Sequence, residues 1–387
     1  MAEPVVTPWS VEGEVNYNKL LKDFGCQPID SALLDRLEKV LGKKPHHFLR
    51  RGIFFSHRDL NLLLDLYEGG KPFYLYTGRG PSSESMHMGH LVPFMLTKWL
   101  QESFKVPLVI QLTDDEKFFF RDLSVEQVES MTTENIKDII AMGFDPELTF
   151  IFRDFDYMGH MYRTVARIER AFTANQVRGC FGFSLEDNCG RWMFPAIQAA
   201  PSFSASFPHI FPQSMGNVFC LIPQAIDQDP YFRLTRDVAP RLGYPKPAVI
   251  HSKFFPDLSG SKGKMSSSTG AAVLLTDTEK MIKDKIKHAF SGGGGTKEEH
   301  LALGANADVD VPIKWMEFFL EDDDELERLR REYMLGRIMT GEVKKRLVEL
   351  ITGIVKRHQE SRKKVTDDDV KLFSSIRPMG PAKYGAP

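Results

Sequence analysis

The sequence predicts an α/β chain: a doubly wound parallel sheet followed by a C-terminal helical domain. Three observations carry this. Strand-like and helix-like stretches alternate between residues 73 and 251, the pattern of a parallel sheet with helical crossovers. Between the first of these strands and its helix lies a glycine, proline and serine turn that ends in His87-Met88-Gly89-His90. Beyond Thr276 the apolar spacing becomes helical throughout. The expected organisation is residues 1–70 as a hairpin and helices packed on the sheet domain, 71–275 as the sheet domain, and 276–387 as the helical domain.

Residues 4–17 read as a hairpin, with Val5-Val6-Thr7 and Val15-Asn16-Tyr17 flanking Gly13. Residues 18–25 and 30–41 have amphipathic helical spacing, the second with Leu33, Leu34, Leu37 and Val40 on one face. His46 and His47 lack acidic or cysteine companions at metal spacing. With Arg50 and Arg51 they suggest a basic edge near a phosphate-bearing ligand. Phe73-Tyr74-Leu75-Tyr76 is a strand, residues 77–83 turn, and a helix runs on from His90 through Leu91, Met95, Leu96, Trp99 and Leu100, with Pro93 in its first turn.

Residues 106–112 form an apolar strand interrupted only by Gln111 and followed by Asp114-Asp115-Glu116. Ser124 and Gln127 have capping-box spacing for a helix through Met142, which Gly143 stops. Residues 149–152 are the next strand, 161–172 a helix, and the stretch to Pro212 is loop-rich. Residues 220–227 and 248–251 are strands, and Pro230 opens a helix toward Leu242. After residue 276, helices are expected at 279–290 and across 315–360, with Gly292 to Gly295 as a break. Lys344, Lys345, Arg346, Lys356, Arg357, Arg362, Lys363 and Lys364 give a basic sector, and Glu321-Asp322-Asp323-Asp324 reads as a helix cap.

Composition narrows the function classes. Hydrophobic residues are 42% and charged residues 26%, with a formal net charge of -2. That is a globular balance without a global field for nucleic acid, so any such partner must be met by local basic patches. No stretch has the length of a membrane span, and the start resembles neither a signal nor a transit peptide, so a cytoplasmic location is expected. The 4 cysteines have no zinc spacing and read as buried thiols of a reducing compartment.

Two motifs carry chemistry. His87-Met88-Gly89-His90 stands at a helix N-terminus just past a strand, where free N–H groups and the helix dipole favour phosphate. Gly89 lets a flat ring approach the backbone. The second motif, Lys264-Met265-Ser266-Ser267-Ser268, offers a point charge and hydroxyl donors to a polyphosphate. Tyr76, Gln111 and Glu116 fall at or just after strand ends, where such sheets bind ligands. No metal-ligand set is expected.

The two motifs, in this order on an α/β region, resemble the class I aminoacyl-tRNA synthetases. Further stretches, Thr113 to Lys117, Phe194 to Phe207 and Ala225 to Phe232, make the chain similar to the eukaryotic cytosolic tryptophanyl-tRNA synthetase family over about residues 17–373. The resemblance implies that L-tryptophan is activated with ATP, accompanied by Mg²⁺, to an adenylate and then passed to tRNA(Trp). It also implies a Rossmann-type catalytic domain at residues 71–275 that binds ATP and tryptophan, an anticodon-binding helical domain at 276–387, a homodimer, and an amino-terminal hairpin over the site. His87 and His90 are assigned to the phosphates and Lys264, Ser266 and Ser268 to the departing pyrophosphate as the catalytic set, with Lys117, near a strand end, a further candidate for the α-phosphate. Gly78, Arg79, Gly80 and Gly89, with Met265 and Ser267, complete the ATP contacts. Tyr76 and Gln111 match the pair that recognises the indole nitrogen, which as a pure donor needs acceptors; Glu116, Gln198 and Gln228 match positions for the amino and carboxylate ends. Met88 replaces the commoner isoleucine, Ser267 an alanine of many relatives, and no helical hairpin domain precedes residue 1. A tyrosyl-tRNA synthetase of the same class, a nucleotidyltransferase outside translation, and a synthetase-like binding protein are the competing readings.

Overall fold

The structure is a computed structural model that describes residues 5–6, 11–12, 17–212, 215–260 and 272–379. The strands are β1 Val5–Val6, β2 Val11–Glu12, β3 Gln27–Pro28, β4 Phe54–Arg58, β5 Phe73–Arg79, β6 Leu108–Leu112, β7 Thr149–Arg153, β8 Phe219–Ala225 and β9 Ala248–Ser252. β3 to β9 form one seven-stranded sheet in the order β3-β4-β9-β8-β5-β6-β7. From β9 to β7 all neighbours are parallel, and β3 and β4 join antiparallel at the other edge. The chain builds outward from β5 through β6 to β7, then returns to lay β8 on the opposite side of β5. That reversal creates a crevice at the carboxyl ends of β5 and β8.

Alternation along the strands sorts side chains onto two covered faces. Leu75, Leu108, Ile110, Ile151, Leu221 and Ile250 pack with Leu91 and Leu96 of the helix Met88–Phe104 and Ile136 and Ile139 of Val125–Ala141. On the other face Tyr74, Tyr76, Val109, Phe150, Phe152, Ile222 and Val249 meet Met161, Val165 and Ile168 of Asp154–Ala171 and Ile197 of Cys189–Ala199. The C-terminal helices extend the first core: Ile282, Trp315, Tyr333, Leu347, Ile351 and Phe373 belong to the same buried cluster. Trp315 Nε1 donates to the Pro256 carbonyl at 2.9 Å, which satisfies the one polar atom of a fully buried ring.

Several expectations are corrected. The amino-terminal strands pair Val5 with Glu12 and Val6 with Val11, so the partner strand is Val11–Glu12, and Tyr17 opens the helix Tyr17–Phe24. β5 does not stop at Tyr76: Gly78 and Arg79 continue the ladder opposite Gln111 and Leu112. The following helix begins at Met88, which puts Pro93 in its second turn and not its first. β4 was hidden because its residues are buried on both faces and show no alternation. The stretch expected to be loop-rich contains the helices Ala174–Phe181 and Cys189–Ala199. Only Cys220 is a fully buried thiol; Cys26 and Cys180 are half-buried and Cys189 is exposed at a helix start.

Arg50 and Arg51 are not a ligand edge. Both bind Asp323, and Arg51 Nη1 also donates to the Glu317 and Leu320 carbonyls at 2.8 and 2.7 Å, closing the end of Val311–Phe319. Asp322 accepts from the amides of Asp324 and Glu325, the cap expected of that acidic run. Much of the basic sector is likewise tied internally: Lys344 caps the Lys287 and Ala289 carbonyls, Arg346 pairs with Glu325, Lys356 with Glu279, and Arg362 with Glu134 and Asp138. Lys345, Arg357, Lys363 and Lys364 remain exposed. No helix among the described residues is long and apolar enough to cross a membrane.

Candidate active site

The carboxyl edge of the sheet has a donor-rich side and an acceptor-rich side. On the first, His87 caps the helix Met88–Phe104 in extended backbone. Its amide donates to His90 Nδ1 at 3.2 Å, and the two imidazoles stack with centroids 3.5 Å apart. Arg79, at the end of β5, brings Nη1 to 3.1 Å from His90 Nε2, and its Nε donates to Asn135 Oδ1 at 3.0 Å. Burial lowers the Arg79 pKa to about 10, opposed by the nearby Glu116 and Asp138 charges, so the guanidinium stays charged near neutrality. A cation, a helix N-terminus and two imidazoles in one place form a ready anion site.

Lys264, Met265, Ser266, Ser267 and Ser268 lie outside the described residues. The chain that follows them is described and meets the histidine motif. His87 and Leu274 form an antiparallel bridge, Met88 N donates to Val273 O at 3.0 Å, and Leu275 N to Met86 O at 2.9 Å. Residues 273–275, far from the histidine motif in the chain, therefore pack against its helix end. Asp277 fixes this junction by accepting from Leu274 N and Lys285 Nζ at 2.9 and 2.6 Å, while Gln359 Nε2 donates to the Leu275 and Asp277 carbonyls.

Glu116 and Lys117 stand between the two sides. Glu116 accepts from Thr113 Oγ1 at 2.8 Å and from Lys117 Nζ at 2.9 Å. Both crowd Gly80, where a Cβ would meet Lys117 Cε at 2.3 Å and Glu116 Oε2 at 2.7 Å. Gly89 is similarly close to the His87 ring and Phe255, with a Cβ at 3.1 to 3.2 Å from them, whereas Gly78 is exposed and has ordinary room.

The acceptor-rich side lies on the opposite sheet face. Tyr76 Oη is 2.5 Å from Gln111 Oε1 and 2.9 Å from the Gln198 carbonyl, and Gln198 Nε2 donates to Gln228 Oε1 at 3.4 Å. Burial, with the nearby Asp154 carboxyl, raises the Tyr76 phenol well above its ordinary pKa, so it keeps its proton. One proton cannot serve both oxygens it faces, and the group has more acceptors than hydrogens. An incoming N–H donor fits that deficit.

Several residues here were missed in the sequence. Asp154, the first residue after β7, accepts from Gln111 Nε2 at 2.8 and 3.0 Å. It is grouped with Asp114 and Asp115, all three buried. Desolvation raises Asp114 to about 6 and pushes Asp115 and Asp154 up as well, so these carboxyls keep protons to higher pH than free ones do. Gln224 in β8 is buried, with neither amide atom hydrogen-bonded among the described residues. Asp229 accepts from Arg58 and from His251 Nε2 at 2.9 and 3.0 Å and stands one residue after Gln228. The available signal was positional: Asp154 directly follows β7, and Asp229 opens the helix that follows β8 after one short turn.

A doubly wound sheet with a His-x-Gly-His helix start at its carboxyl edge, in a chain that also carries Lys264-Met265-Ser266-Ser267-Ser268, defines a nucleotide-using class I synthetase fold. The family model described as tRNA synthetases class I (W and Y) matches residues 68–356, and the chain belongs to that family. It is 57% identical over 384 residues to cytoplasmic tryptophan–tRNA ligase of Homo sapiens, covering 97% of this chain and 81% of that protein. It is 56% identical over 385 residues to that of Arabidopsis thaliana, covering 98% and 96%. Among solved structures, tryptophanyl-tRNA synthetase from Trypanosoma brucei is 74% identical with a TM-score of 0.84, covering 95% of this chain and 100% of that one. The Encephalitozoon cuniculi tryptophanyl-tRNA synthetase bound to tryptophan is 46% identical with a TM-score of 0.86, covering 94% and 98%.

Proposed function

We propose that the chain is a tryptophan–tRNA ligase that forms tryptophanyl-adenylate from L-tryptophan and ATP and passes the acyl group to the 3′-terminal ribose of tRNA(Trp). The observation that carries this reading is the proton-poor Tyr76–Gln111 pair beside the donor-rich helix end at His87. Indole N–H is a donor only and suits that pair, whereas the phenol of tyrosine also brings lone pairs. Relatives named tryptophan–tRNA ligase at 56% and 57% identity support the same choice over the tyrosine enzyme. A nucleotidyltransferase outside translation is not favoured by the same matches. The relatives' names include "cytoplasmic", and we assign this chain to the cytoplasm.

In the mechanism a tryptophan carboxylate oxygen attacks the α-phosphorus of ATP and pyrophosphate leaves. A ribose hydroxyl of the tRNA then displaces AMP from the acyl carbon. Neither step needs a strong base; positioning and charge stabilisation dominate. His87, His90 and Arg79 hold phosphate oxygens. Lys117 lies near the α-phosphate, and Gly78, Gly80 and Gly89 keep the backbone side of the nucleotide site low. Lys264, Ser266 and Ser268 meet the departing pyrophosphate, with Met265 and Ser267 completing the loop. Mg²⁺ enters with ATP as part of the substrate, held by phosphates and water. Glu116, Gln198 and Gln228 bind the amino and carboxylate ends of tryptophan, while Tyr76 and Gln111 read its ring.

Residues 276–387 serve as the anticodon-binding domain, to which exposed Lys345, Arg357, Lys363 and Lys364 contribute charge. A homodimer is supported by exposed Phe118, Phe155 and Tyr162, with Phe118 and Phe155 in ring contact at 6.3 Å. Tyr17 Oη accepts from the Phe254 amide at 3.0 Å just past β9, a tether that suits the amino-terminal hairpin to the carboxyl edge. The test is charging of tRNA(Trp) with radiolabelled tryptophan, and pre-steady-state adenylate formation by Lys264→Ala. A fall of roughly 10²- to 10³-fold in adenylate rate with tryptophan affinity kept is expected of a lost transition-state donor. An equal loss of tryptophan binding would contradict the assigned role.

A further inference from the structure

Gln111 can serve an N–H donor only if its amide oxygen faces the ring; turned over, it presents an NH₂ and repels the same ligand. Its surroundings decide the matter. The amide nitrogen lies 2.8 and 3.0 Å from the two Asp154 oxygens and 3.5 Å from the Ile197 carbonyl, three acceptors on one side. Reversal would set the Gln111 carbonyl against all three. Resting on the reading of Gln111 as the indole-binding amide, we propose that Asp154 is a positioning residue that fixes which way that amide faces, and thereby selects a donor ring without touching it.

The neighbours explain how an acid can be kept there. Asp154 is fully buried at the start of the helix Asp154–Ala171, whose dipole favours an acidic group. Carboxylate oxygens of Asp114, Asp115 and Asp154 lie within 4.8 Å of one another. Asp114 Oδ1 accepts from the amides of Asp115 and Phe155 at 3.1 and 3.2 Å, and Asp115 Oδ1 from the Glu116 amide at 2.6 Å. With those oxygens occupied, a proton shared between Asp115 and Asp154 still leaves Asp154 an acceptor for Gln111. The useful property is an acceptor oxygen at this point, not a negative charge.

This yields a test by substitution. Asp154→Asn retains one acceptor oxygen for Gln111 and an N–H for Asp115, and it should keep the KM for tryptophan in pyrophosphate exchange within about 3-fold of wild type. Asp154→Leu removes the acceptor and should raise that KM by about 10- to 100-fold, the range for leaving a buried polar partner unsatisfied, with the KM for ATP unchanged. Adding Gln111→Glu to Asp154→Leu should recover most of the loss, because a carboxylate presents an acceptor whichever way it turns. Asp154→Ala repeats the experiment should the leucine variant melt early. An unchanged KM in Asp154→Leu, failure in Asp154→Asn, or no recovery with Gln111→Glu would each overturn the role. Gln111→Ala separates the two levels: if it leaves the KM and the tryptophan preference intact, the reading of Gln111 itself falls, whereas an effect there with none at Asp154 removes only this inference.

Discussion

Two buried acids stand at the carboxyl edge of the same sheet and meet opposite fates. Asp229 is surrounded by bases: Arg58 and His251 at 2.9 and 3.0 Å, and Arg233 at 3.2 Å. Burial pushes its carboxyl up, yet the hydrogen bonds from His251 and Arg58 win and hold it at about 2. Asp154 has acids for neighbours, and desolvation with the Asp115 charge drives it well above its ordinary pKa. The first arrangement is a compensated truss joining β4, β9 and the helix that begins beside Gln228. The second gives up electrostatic comfort to keep an acceptor behind Gln111. Burial alone therefore says little about a carboxylate's job; its partners say more.

The comparison breaks hardest at Asp229. Asp229→Ala leaves the Arg58 and His251 groups without their buried counterpart and should cost about 3–5 kcal/mol in urea unfolding, the scale of breaking a buried pair. A loss below about 1 kcal/mol would show that the truss is dispensable. A rate effect comes next. Gly80→Ala drives a methyl into Lys117 and should lower the adenylate rate by about 10-fold while the melting temperature stays put, since the Lys117 end can swing aside. A variant that melts early instead would make Gly80 a folding residue.

Stability against pH sharpens the contrast further, because the two clusters have opposite signs. Asp229 is depressed in the folded state, so its contribution is complete above the unfolded pKa near 4 and is lost as pH falls toward 2. Asp114, at about 6, and Asp115 are raised, so the folded chain keeps protons that the unfolded chain releases above about pH 4, and stability falls as pH rises through that window. Asp115→Asn should flatten that fall and be neutral or stabilising at pH 8. A steeper fall would mean the cluster is stabilised by its charge. The smallest effect is expected at the surface, where Asp323→Ala, partly exposed beside Arg50 and Arg51, should cost about 1 kcal/mol or less.

How far the sequence reached follows from the same physics. The parallel strands were visible because both of their faces are covered, which leaves apolar runs such as 106–112 with Gln111 as the lone polar interruption. The helix starting at Ser124 was visible through its capping box, and the structure pairs Ser124 with Gln127 both ways, at 2.8 and 3.3 Å. β4 was not, because Phe54, Phe55, Ser56 and His57 are all buried and give no period. Arg50 and Arg51 misled because a basic pair closing another helix reads, in sequence, like one awaiting phosphate. Asp154 escaped notice for a different reason. Its partner Gln111 is 43 residues away, and only the β6–β7 register brings the two together.

The most direct measurement is amino-acid-dependent ATP–pyrophosphate exchange by the purified chain, run separately with tryptophan, tyrosine and phenylalanine in the presence of Mg²⁺. Exchange with tryptophan alone is the predicted result. Exchange with tyrosine would contradict the assignment of Tyr76 and Gln111 as an indole-selecting pair, and no exchange with any of the three would contradict the catalytic reading as a whole.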